Sequence, residues 1–466
     1  MELFKTKGIY GDKVRQVSQI NKYYEIYKGK QKWEVNTGLD YEPTQKVTNI
    51  TKKIIDKRAR FLFGNKLLFD VKQLEADADG STINKDAAQA KEDLLEEILD
   101  ANKFHSKILK AKKDCSIGGK VAIKLWGSKD EGIKIIFSPA QEFFAEYNED
   151  DVDILEKITF IYFLNDEKKE KDQRVMRQVW EMRDGRCYLN EGIYNGKGET
   201  IEIREKDHDT GLPFLPVEVI LNGGLTGETT GQSDVEQLWS NQDQYNKLTS
   251  DDIDALKFQM FGQDVVTDAS ENTIKNITIA PAALIDLQTD MSQATGGRQA
   301  KIERHESNFS YGDKFTDTIN RIKNDMYDTL DVPNISLEQL KGMAQSGKAM
   351  KMLYTDLMAV ADEEWIEWEA ALRSMANKIF YMIELYNCYD AKDIAAMDTD
   401  LEIVRSYPIQ EDEDKERELD QEDVRLGLMS RQTYIKKWSN TENVEEELNQ
   451  ILVDTRTMED GYPNLF

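Results

Sequence analysis

Cysteine, histidine and proline are scarce in this sequence, and the shortage of the first two excludes several kinds of site. The 466 residues include three cysteines, three histidines and eight prolines. The cysteines and histidines are Cys115, Cys187, Cys388, His105, His208 and His305. They are too few and too scattered for a disulfide framework or a zinc site. We therefore expect an intracellular, reducing environment, and the opening segment MELFKTKGIYGDK does not have the pattern of a signal peptide.

Long apolar runs and an excess of positive charge are also lacking. No apolar run approaches the ~18 residues that a membrane span needs. The chain has 61 basic and 88 acidic residues, and its net charge of -27 argues against tight binding of nucleic acid, because phosphate binding depends on Lys and Arg. A surface past which DNA slides is compatible with this charge. With 39% apolar residues the chain can bury a sizeable core.

The longest predicted element is a helix between Gly347 and Tyr389. No Gly or Pro interrupts this stretch, and apolar residues recur at helical spacing. We predict about 40 residues and a length of about 60 Å. Pro333 ends the preceding helix, because proline cannot continue a hydrogen-bonded turn, and a polar loop with two glycines lies between. A helix of this length implies a large, layered or multi-subunit object.

The first half of the chain divides into helices followed by strands. Helical periodicity predicts helices at 13–28, in NITKKIIDKRARFLFG with Gly64 as C-cap, and at 84–114. From Lys120 to Val219 the apolar period changes to two, which predicts a series of short strands. The fold class that these patterns predict is α+β, mainly helical.

Two further helices flank a small α/β insert. Ser233 and Glu236 form a capping box, which places the start of one helix at Ser233. The second helix runs from about Phe309 to Pro333. The insert between them, 264–305, contains the predicted strands DVVT, NITIA and ALIDL.

The chain ends in a strand, an acidic run and short helices. Beyond the long helix, LEIVRSYP is predicted to be a strand. The acidic run Glu411–Asp423 is interpreted as a solvated, mobile connection to two or three short helices.

Two loops resemble ligand sites without meeting their requirements. Gly342–Ala349 differs by one residue from a P-loop, because Ala349 lacks the hydroxyl that holds Mg²⁺, and no buried strand precedes it. A flexible loop entering a helix is the better interpretation. Glu75–Asp86 resembles a calcium-binding loop but has Asp86 where a bidentate Glu is needed, so we expect an ordinary acidic turn.

The remaining candidates for chemistry are side chains on predicted helices. Asp251, Asp252 and Asp254 suggest a metal-dependent nuclease, but no His or Lys partner is apparent, and a solvated helix face is favoured. Trp365 and Trp368 lie on the apolar stripe of the long helix, which favours packing over base stacking. The histidines are expected at the surface or in satisfied core positions. We predict no enzyme activity, no cofactor and no metal.

Several segments, in collinear order over nearly the whole chain, resemble the portal proteins of tailed bacteriophages, in particular the family of phages of Gram-positive hosts. They include NKYYEIYKGKQKW, NITKKIIDKRARFLFG, CSIGGKVAIKLWGSKDEGIKIIFSPAQEFFAEYNED, GQSDVEQLWSNQDQYNKLTSDDIDALKF, SGKAMKMLYTDLMA and LEIVRSYPIQEDE. The most telling of these are DQYNKLTSDDID and SGKAMK.

The resemblance implies a portal fold with wing, long-helix stem, small α/β clip, tunnel loop and helical crown. The implied ranges are 1–230 (wing), 231–263 (first stem helix), 264–307 (clip), 308–331 (second stem helix), 332–347 (tunnel loop), 348–410 (long wing helix and return strand) and 411–466 (crown).

The resemblance also implies a function and partners. Family members form rings, dodecameric in the virion, that act as non-catalytic channels for DNA packaging and ejection at one capsid vertex. The expected partners are the terminase large subunit, a head-completion adaptor, the major capsid and scaffolding proteins, and DNA passing without sequence recognition. The expected location is the virion, and the host cytoplasm during assembly.

The net charge predicts how such a channel treats DNA. An anionic wall repels phosphate and keeps the double helix mobile. Four tunnel-loop residues are the candidates for brief contact with the backbone: Lys341, Gln345, Ser346 and Lys348. Two alternatives remain: a packaging-associated ATPase or nuclease, and a monomeric scaffold or adaptor.

Overall fold

The computed structural model describes most of the chain, in two compact units. The first unit comprises Met1–Val332 and Val360–Ser406, and the second comprises Pro333–Ala359 and Tyr407–Phe466. The described residues are 10–35, 38, 41–72, 85–165, 167, 169–260, 263–271, 289, 300–305, 311–335, 351–409, 413–438, 448, 450 and 451. Helices and antiparallel strands are mixed within them, as an α+β sequence pattern predicts.

The first unit begins with two helices that agree with the predicted ones. Helix α1 spans Val14–Tyr27 and α2 spans Ile50–Phe63. The Asn49 side chain accepts a hydrogen bond from the backbone N–H of Lys52 (2.9 Å), which satisfies one donor at the start of α2. Gly64 is the C-cap as predicted, but its φ of -70° is right-handed. This helix therefore ends without a left-handed glycine.

The single helix predicted at 84–114 is wrong, because the structure has two helices there. Helix α3 spans Lys85–Ala101 and α4 spans Phe104–Gly118. Lys103 has a left-handed φ of 53°. The Asn102 amide donates to the Ile133 carbonyl (2.9 Å) and accepts from the Ile135 N–H (2.8 Å). These bonds tie the break to the neighbouring strand, and apolar periodicity carries no signal for such a one-residue reversal.

The predicted β-rich region is confirmed as two antiparallel sheets. The strands are β2 (Lys120–Ser128), β3 (Gly132–Pro139), β4 (Phe143–Tyr147), β5 (Leu155–Phe163), β6 (Val175–Arg183), β7 (Arg186–Tyr194), β8 (Thr200–Asp209) and β9 (Val217–Leu221), preceded by β1 (Leu68–Lys72). One sheet has the order β3-β2-β9 and the other β4-β5-β6-β7-β8. Gly119, at φ 80°, joins α4 to β2 where a Cβ would lie 2.5 Å from the Gly231 carbonyl oxygen, so only glycine fits.

Two antiparallel helices, α5 and α6, follow the sheets and pack against each other. Helix α5 spans Asp234–Met260 and α6 spans Gly312–Asp328. The Ser233 hydroxyl caps α5, accepting from the Glu236 N–H (3.4 Å), so the predicted start is confirmed. Strands β10 (Gln263–Thr267) and β11 (Lys301–His305) pair antiparallel between the helices. The predicted strands NITIA and ALIDL lie outside the described residues.

The long helix is shorter than predicted. Helix α7 has 32 residues, Thr355–Tyr386. A turn at Tyr354 separates it from the helical residues 351–353, and residues 347–350 lie outside those described. It ends where Asn387 takes a left-handed φ of 52°. Its inward stripe is apolar, and its fully buried residues include Leu372, Met375, Ile379 and Ile383.

The tryptophan pair of α7 packs, as predicted. Trp368 is 1% exposed, and its ring centroid lies 4.8 Å from that of Phe63 in an edge-to-face arrangement. Trp365 contacts the same Phe63 ring at 6.3 Å and the guanidinium of Arg405 at 5.3 Å. Neither ring is available as a base-stacking platform. After α7, α8 (Lys392–Ala395) leads to β12 (Asp400–Val404), which pairs antiparallel with β1 and confirms the predicted strand.

The acidic run is mostly solvated, as predicted, but from Glu413 it is a helix and not a connection. In the second unit, α9 (Glu413–Leu426) packs on α10 (Arg431–Trp438). Asp420 is 7% exposed, accepts a hydrogen bond from Trp438 Nε1 (2.7 Å) and pairs with Lys437 (2.7 Å). The partners that satisfy this carboxylate come later in the chain, so the acidic run alone did not reveal them. Among the residues described, no helix is both long and apolar enough to cross a membrane.

Candidate functional site: the helix pair and the acidic cleft at its base

The predicted DNA-facing residues Lys341, Gln345, Ser346 and Lys348 lie outside the described residues. The P-loop-like segment Gly342–Ala349 lies there too, as do residues 75–84 of the acidic loop. The candidate site is therefore built from the α5–α6 pair and from the groups that hold its base.

The interpretation of the three aspartates as one solvated helix face is wrong for Asp254. Asp251 is exposed and Asp252 is half-buried, but Asp254 is 6% exposed. Its carboxylate accepts hydrogen bonds from the backbone N–H (2.8 Å) and hydroxyl of Thr44. Lys257, one turn along, pairs with it at 3.1 Å. Asp254 is thus committed to a structural contact, which also removes it from a nuclease site.

Asp254 is the last member of a polar row on α5 that binds an extended segment. The row consists of Gln242, Asn246, Ser250 and Asp254, all at most 6% exposed. They accept hydrogen bonds from alternate backbone N–H groups of the segment 44–50. The pairs are Ile50 N with Gln242 Oε1 (2.9 Å), Thr48 N with Asn246 Oδ1 (3.0 Å), Lys46 N with Ser250 Oγ (3.0 Å) and Thr44 N with Asp254 Oδ2 (2.8 Å).

The spacing of the row matches the repeat of an extended chain. Four residues of an α-helix rise about 6 Å, and two residues of a strand rise about 6.6 Å. An i, i+4 series of polar side chains therefore stays in register with every second N–H of a strand. The row, below called the polar row, fixes α5 to the body of the unit along three turns.

Burial along the α5–α6 pair changes from one end to the other. At the base, Val235 and Leu238 of α5 and Met326 of α6 are fully buried. Toward the other end, Phe315 and Ile319 of α6 are only half-buried. Leu256 near the end of α5 is 47% exposed. The apolar stripes that the sequence predicts are thus covered at the base and incompletely covered beyond it.

A buried ion network holds that base. The Arg58 guanidinium contacts Glu364 (2.7 Å) and Asp234 (3.2 Å), and the Lys112 ammonium contacts Glu364 (2.8 Å). Asn222 links the two halves, accepting from Lys112 (3.0 Å) and donating to Asp234 (2.8 Å). Burial by itself raises the pKa of Glu364, but Lys112 and Arg58 outweigh it and the net pKa is lowered. Four helices, α2, α4, α5 and α7, are joined at this point.

A cleft of about 600 Å³ opens above the network. Its walls are the turn Asn222–Glu228, the start of α5, the residues Thr329–Asp331 that follow α6, and one face of α7. Of the described residues that line it, one is a cation, Arg58, and seven are acids: Asp153, Glu228, Asp234, Asp331, Glu363, Glu364 and Glu367. Leu225 and Ile366 at its wall are 72% and 68% exposed. This surface, below called the acidic cleft, suits a cationic group with apolar neighbours.

Two kinds of reactive group, metal clusters and thiols, were among the candidates for chemistry. No group of three His, Cys, Asp or Glu side chains there is arranged to hold a metal ion. The three cysteines are buried, and burial raises the pKa of Cys115 to about 12 and that of Cys187 to about 11. Thiols with such pKa values stay protonated and are poor nucleophiles.

Comparison with known proteins gives one match to a protein family. A family model described as "Phage portal protein, SPP1 Gp6-like" matches residues 7–460. No curated protein matches the chain. The matched range includes the polar row, both members of the helix pair and the walls of the acidic cleft.

Proposed function

Since the chain belongs to the SPP1 Gp6-like family of phage portal proteins, we propose that it forms a ring at one capsid vertex and a non-catalytic channel for DNA. Portal proteins are phage components of the capsid vertex that serve DNA packaging. A ring, dodecameric in the virion, gives each subunit two neighbours. Double-stranded DNA passes inward during packaging and outward during ejection.

The incompletely covered α5–α6 pair is the observation that supports a ring most strongly. An amphipathic helix packs its apolar stripe against another element, yet Leu256 is 47% exposed and Ile319 is half-buried in one chain. Packing of the pair against its copies around an axis supplies the missing contacts. The polar row and the ion network hold the base of each pair, so that the copies meet in a fixed orientation.

Charge supports passage of DNA without capture. At -27 per chain, the wall of the channel repels phosphate, and non-specific affinity stays low because few counterions are released. Lys341 and Lys348, with Gln345 and Ser346, are proposed as the backbone contacts of the tunnel loop. They position the duplex without reading its sequence.

We propose that the terminase and the head-completion adaptor dock at the β10–β11 end of the helix pair. The β10–β11 ladder lies at the end of the pair that is distant from the ion network, and Val265 on it is 41% exposed. A two-stranded ladder has free edges that accept another strand. It is the proposed docking surface for the terminase, and afterwards for the head-completion adaptor. Capsid and scaffolding proteins then contact other parts of the ring.

Light scattering of the purified protein, with an assay of ATP hydrolysis, tests this function. We expect an assembly whose mass is several times the 53.7 kDa of one chain, and no ATP turnover above background. Lys348→Ala should leave both results unchanged. A packaging ATPase is indicated instead if ATP turns over and Lys348→Ala abolishes the turnover, and a scaffold or adaptor if only the monomer mass is found.

A further inference from the structure

Two carboxylates at the wall of the acidic cleft have no ion-pair partner among the residues that the structure describes. Glu363 and Glu367 are exposed on adjacent turns of α7, and within the described residues neither forms an ion pair. Beside them, Leu225 and Ile366 present apolar surface to solvent. Isolated exposed acids are ordinary, but five carboxylates of this cleft lie outside the ion network of Arg58 and Lys112, and they repel one another. A cation entering the cleft relieves that repulsion.

The opposite charge is concentrated on one face of α2. Lys53, Lys57 and Arg60 follow one another at i, i+4 and i+7, so they lie on one side of the helix. Lys53 and Arg60 are exposed, and neither has a carboxylate partner in the described part of the chain. Burial, with the like charges of Lys53 and Arg60, lowers the pKa of Lys57 to about 8. This surface, below called the basic face, is anomalous on a chain of net charge -27.

The basic face and the acidic cleft lie on opposite sides of the same helix. Arg58 of α2 points to the cleft, where it contacts Asp234 and Glu364. At 100° per residue, Lys53 and Arg60 are rotated by about 140° and 160° from Arg58. A cation face and an anion face that point in opposite directions cannot meet within one chain. They meet between two copies that are related by rotation, head to tail.

Head-to-tail contacts of this kind close into rings when the rotation closes. We propose that the acidic cleft of one subunit receives the basic face of α2 from its neighbour, so that Lys53 and Arg60 pair with Glu363 and Glu367. Leu225 and Ile366 form the apolar part of the same contact. The proposal rests on the ring of the proposed function and names the surfaces that join its subunits.

Charge reversal with a matched control tests the pairing. Two double variants each place like charges in the contact, Glu363→Lys with Glu367→Lys, and Lys53→Glu with Arg60→Glu. Each is expected to raise the concentration for half-assembly at least ~10-fold, because opposed like charges suppress association. The variant with all four changes restores opposite charges and should assemble like the wild type. The control, Glu202→Lys with Glu205→Lys on exposed β8, makes the same charge change and should not affect assembly.

Native mass spectrometry measures the fraction of chains in rings at each protein concentration. Thermal unfolding shows that each variant is folded. The pairing is overturned if either double variant forms rings at the wild-type concentration, or if folded double variants lose the ring and the fourfold variant does not recover it. Loss of monomer stability without loss of rings, after reversal in the cleft, would mean that the cleft is filled by its own chain. Intact rings with weaker DNA retention, after reversal on α2, would assign the basic face to phosphate. Both results contradict the proposal.

The result for the wild type separates this inference from the function on which it rests. A wild-type protein that forms no ring at any concentration contradicts the proposed function. If the wild type and both double variants all form rings, only the proposed contact between the acidic cleft and the basic face is contradicted.

Discussion

Helices α5 and α7 are both long and both buried along one side, but different chemistry holds them. The inward side of α7 is apolar, with Leu372, Ile379 and Ile383 fully buried. The side of α5 that meets the segment 44–50 is polar, and backbone N–H groups of that segment fill it. Burial of apolar surface stabilises α7, whereas α5 depends on buried hydrogen bonds that are costly to leave unmade. The two helices should therefore respond differently to the loss of one side chain.

The largest expected effect comes from a cavity in the apolar side of α7. Ile379→Ala should lower the free energy of unfolding by about 2–5 kcal/mol, because a fully buried aliphatic side chain is removed. Leu385→Ala is the control on the same helix, where the side chain is 42% exposed, and should cost less than about 1 kcal/mol. Urea unfolding of both variants measures the difference. Equal losses would show that the inward stripe of α7 is not its principal attachment.

The polar row should respond less strongly. Gln242→Ala leaves the N–H of Thr51 without its side-chain acceptor and that of Ile50 with only the Thr48 carbonyl (3.0 Å), which should cost about 1–3 kcal/mol. Gln244, two residues further along α5, is exposed, and Gln244→Ala is the control. It should change the free energy of unfolding by less than about 0.5 kcal/mol. Urea unfolding measures the loss of stability in both variants. Hydrogen exchange at the Ile50 amide should accelerate in Gln242→Ala and not in Gln244→Ala. Unchanged exchange at Ile50 would contradict the row as the element that holds this segment.

The smallest expected effect is one of pH, at the end of the polar row. Burial opposes the charge of Asp254, but hydrogen bonds from Thr44 and the Lys257 ammonium prevail and lower its pKa. A carboxylate with a lowered pKa stabilises the fold above its unfolded pKa, and this stability is lost as pH falls through the folded pKa. Asp254→Asn should therefore be less stable than wild type by about 1 kcal/mol at pH 7.

Thermal unfolding at pH 7 and at pH 3 measures that contribution. The difference in stability between wild type and Asp254→Asn should narrow at pH 3, which is below the ordinary pKa of an aspartate in an unfolded chain. Ile379→Ala should show the same loss at both values, since it removes no titrating group. A gap for Asp254→Asn that is independent of pH would mean that its charge does not contribute to this contact.

The same contrast explains which elements the sequence predicts. Apolar periodicity identifies α1, α2 and the inward stripe of α7, because each apolar residue at helical spacing marks the buried side directly. Asn246, Ser250 and Asp254 recur at the same spacing, and three of the four row residues lie in DQYNKLTSDDID. A polar i, i+4 series usually marks a solvated face, so the partner segment 44–50, about 200 residues earlier, is not predictable from it.

The other differences also arise from partners distant in sequence. The break at Lys103 depends on bonds from Asn102 to β3, and the packing of the acidic run depends on Lys437 and Trp438. The ion network joins Arg58, Lys112, Asp234 and Glu364 from four helices, with no local motif to mark it. Of the predicted site, the helix pair is present in the described residues, whereas the tunnel-loop residues remain a prediction.

A reconstruction of the purified, assembled protein by electron cryo-microscopy tests the central claim most directly, because it shows what covers the α5–α6 pair. We predict closed rings in which the pairs surround an axial hole, with Leu256 and Ile319 against a neighbouring subunit or the channel wall. Single chains of 53.7 kDa, or rings whose helix pairs point away from the axis, would contradict the account.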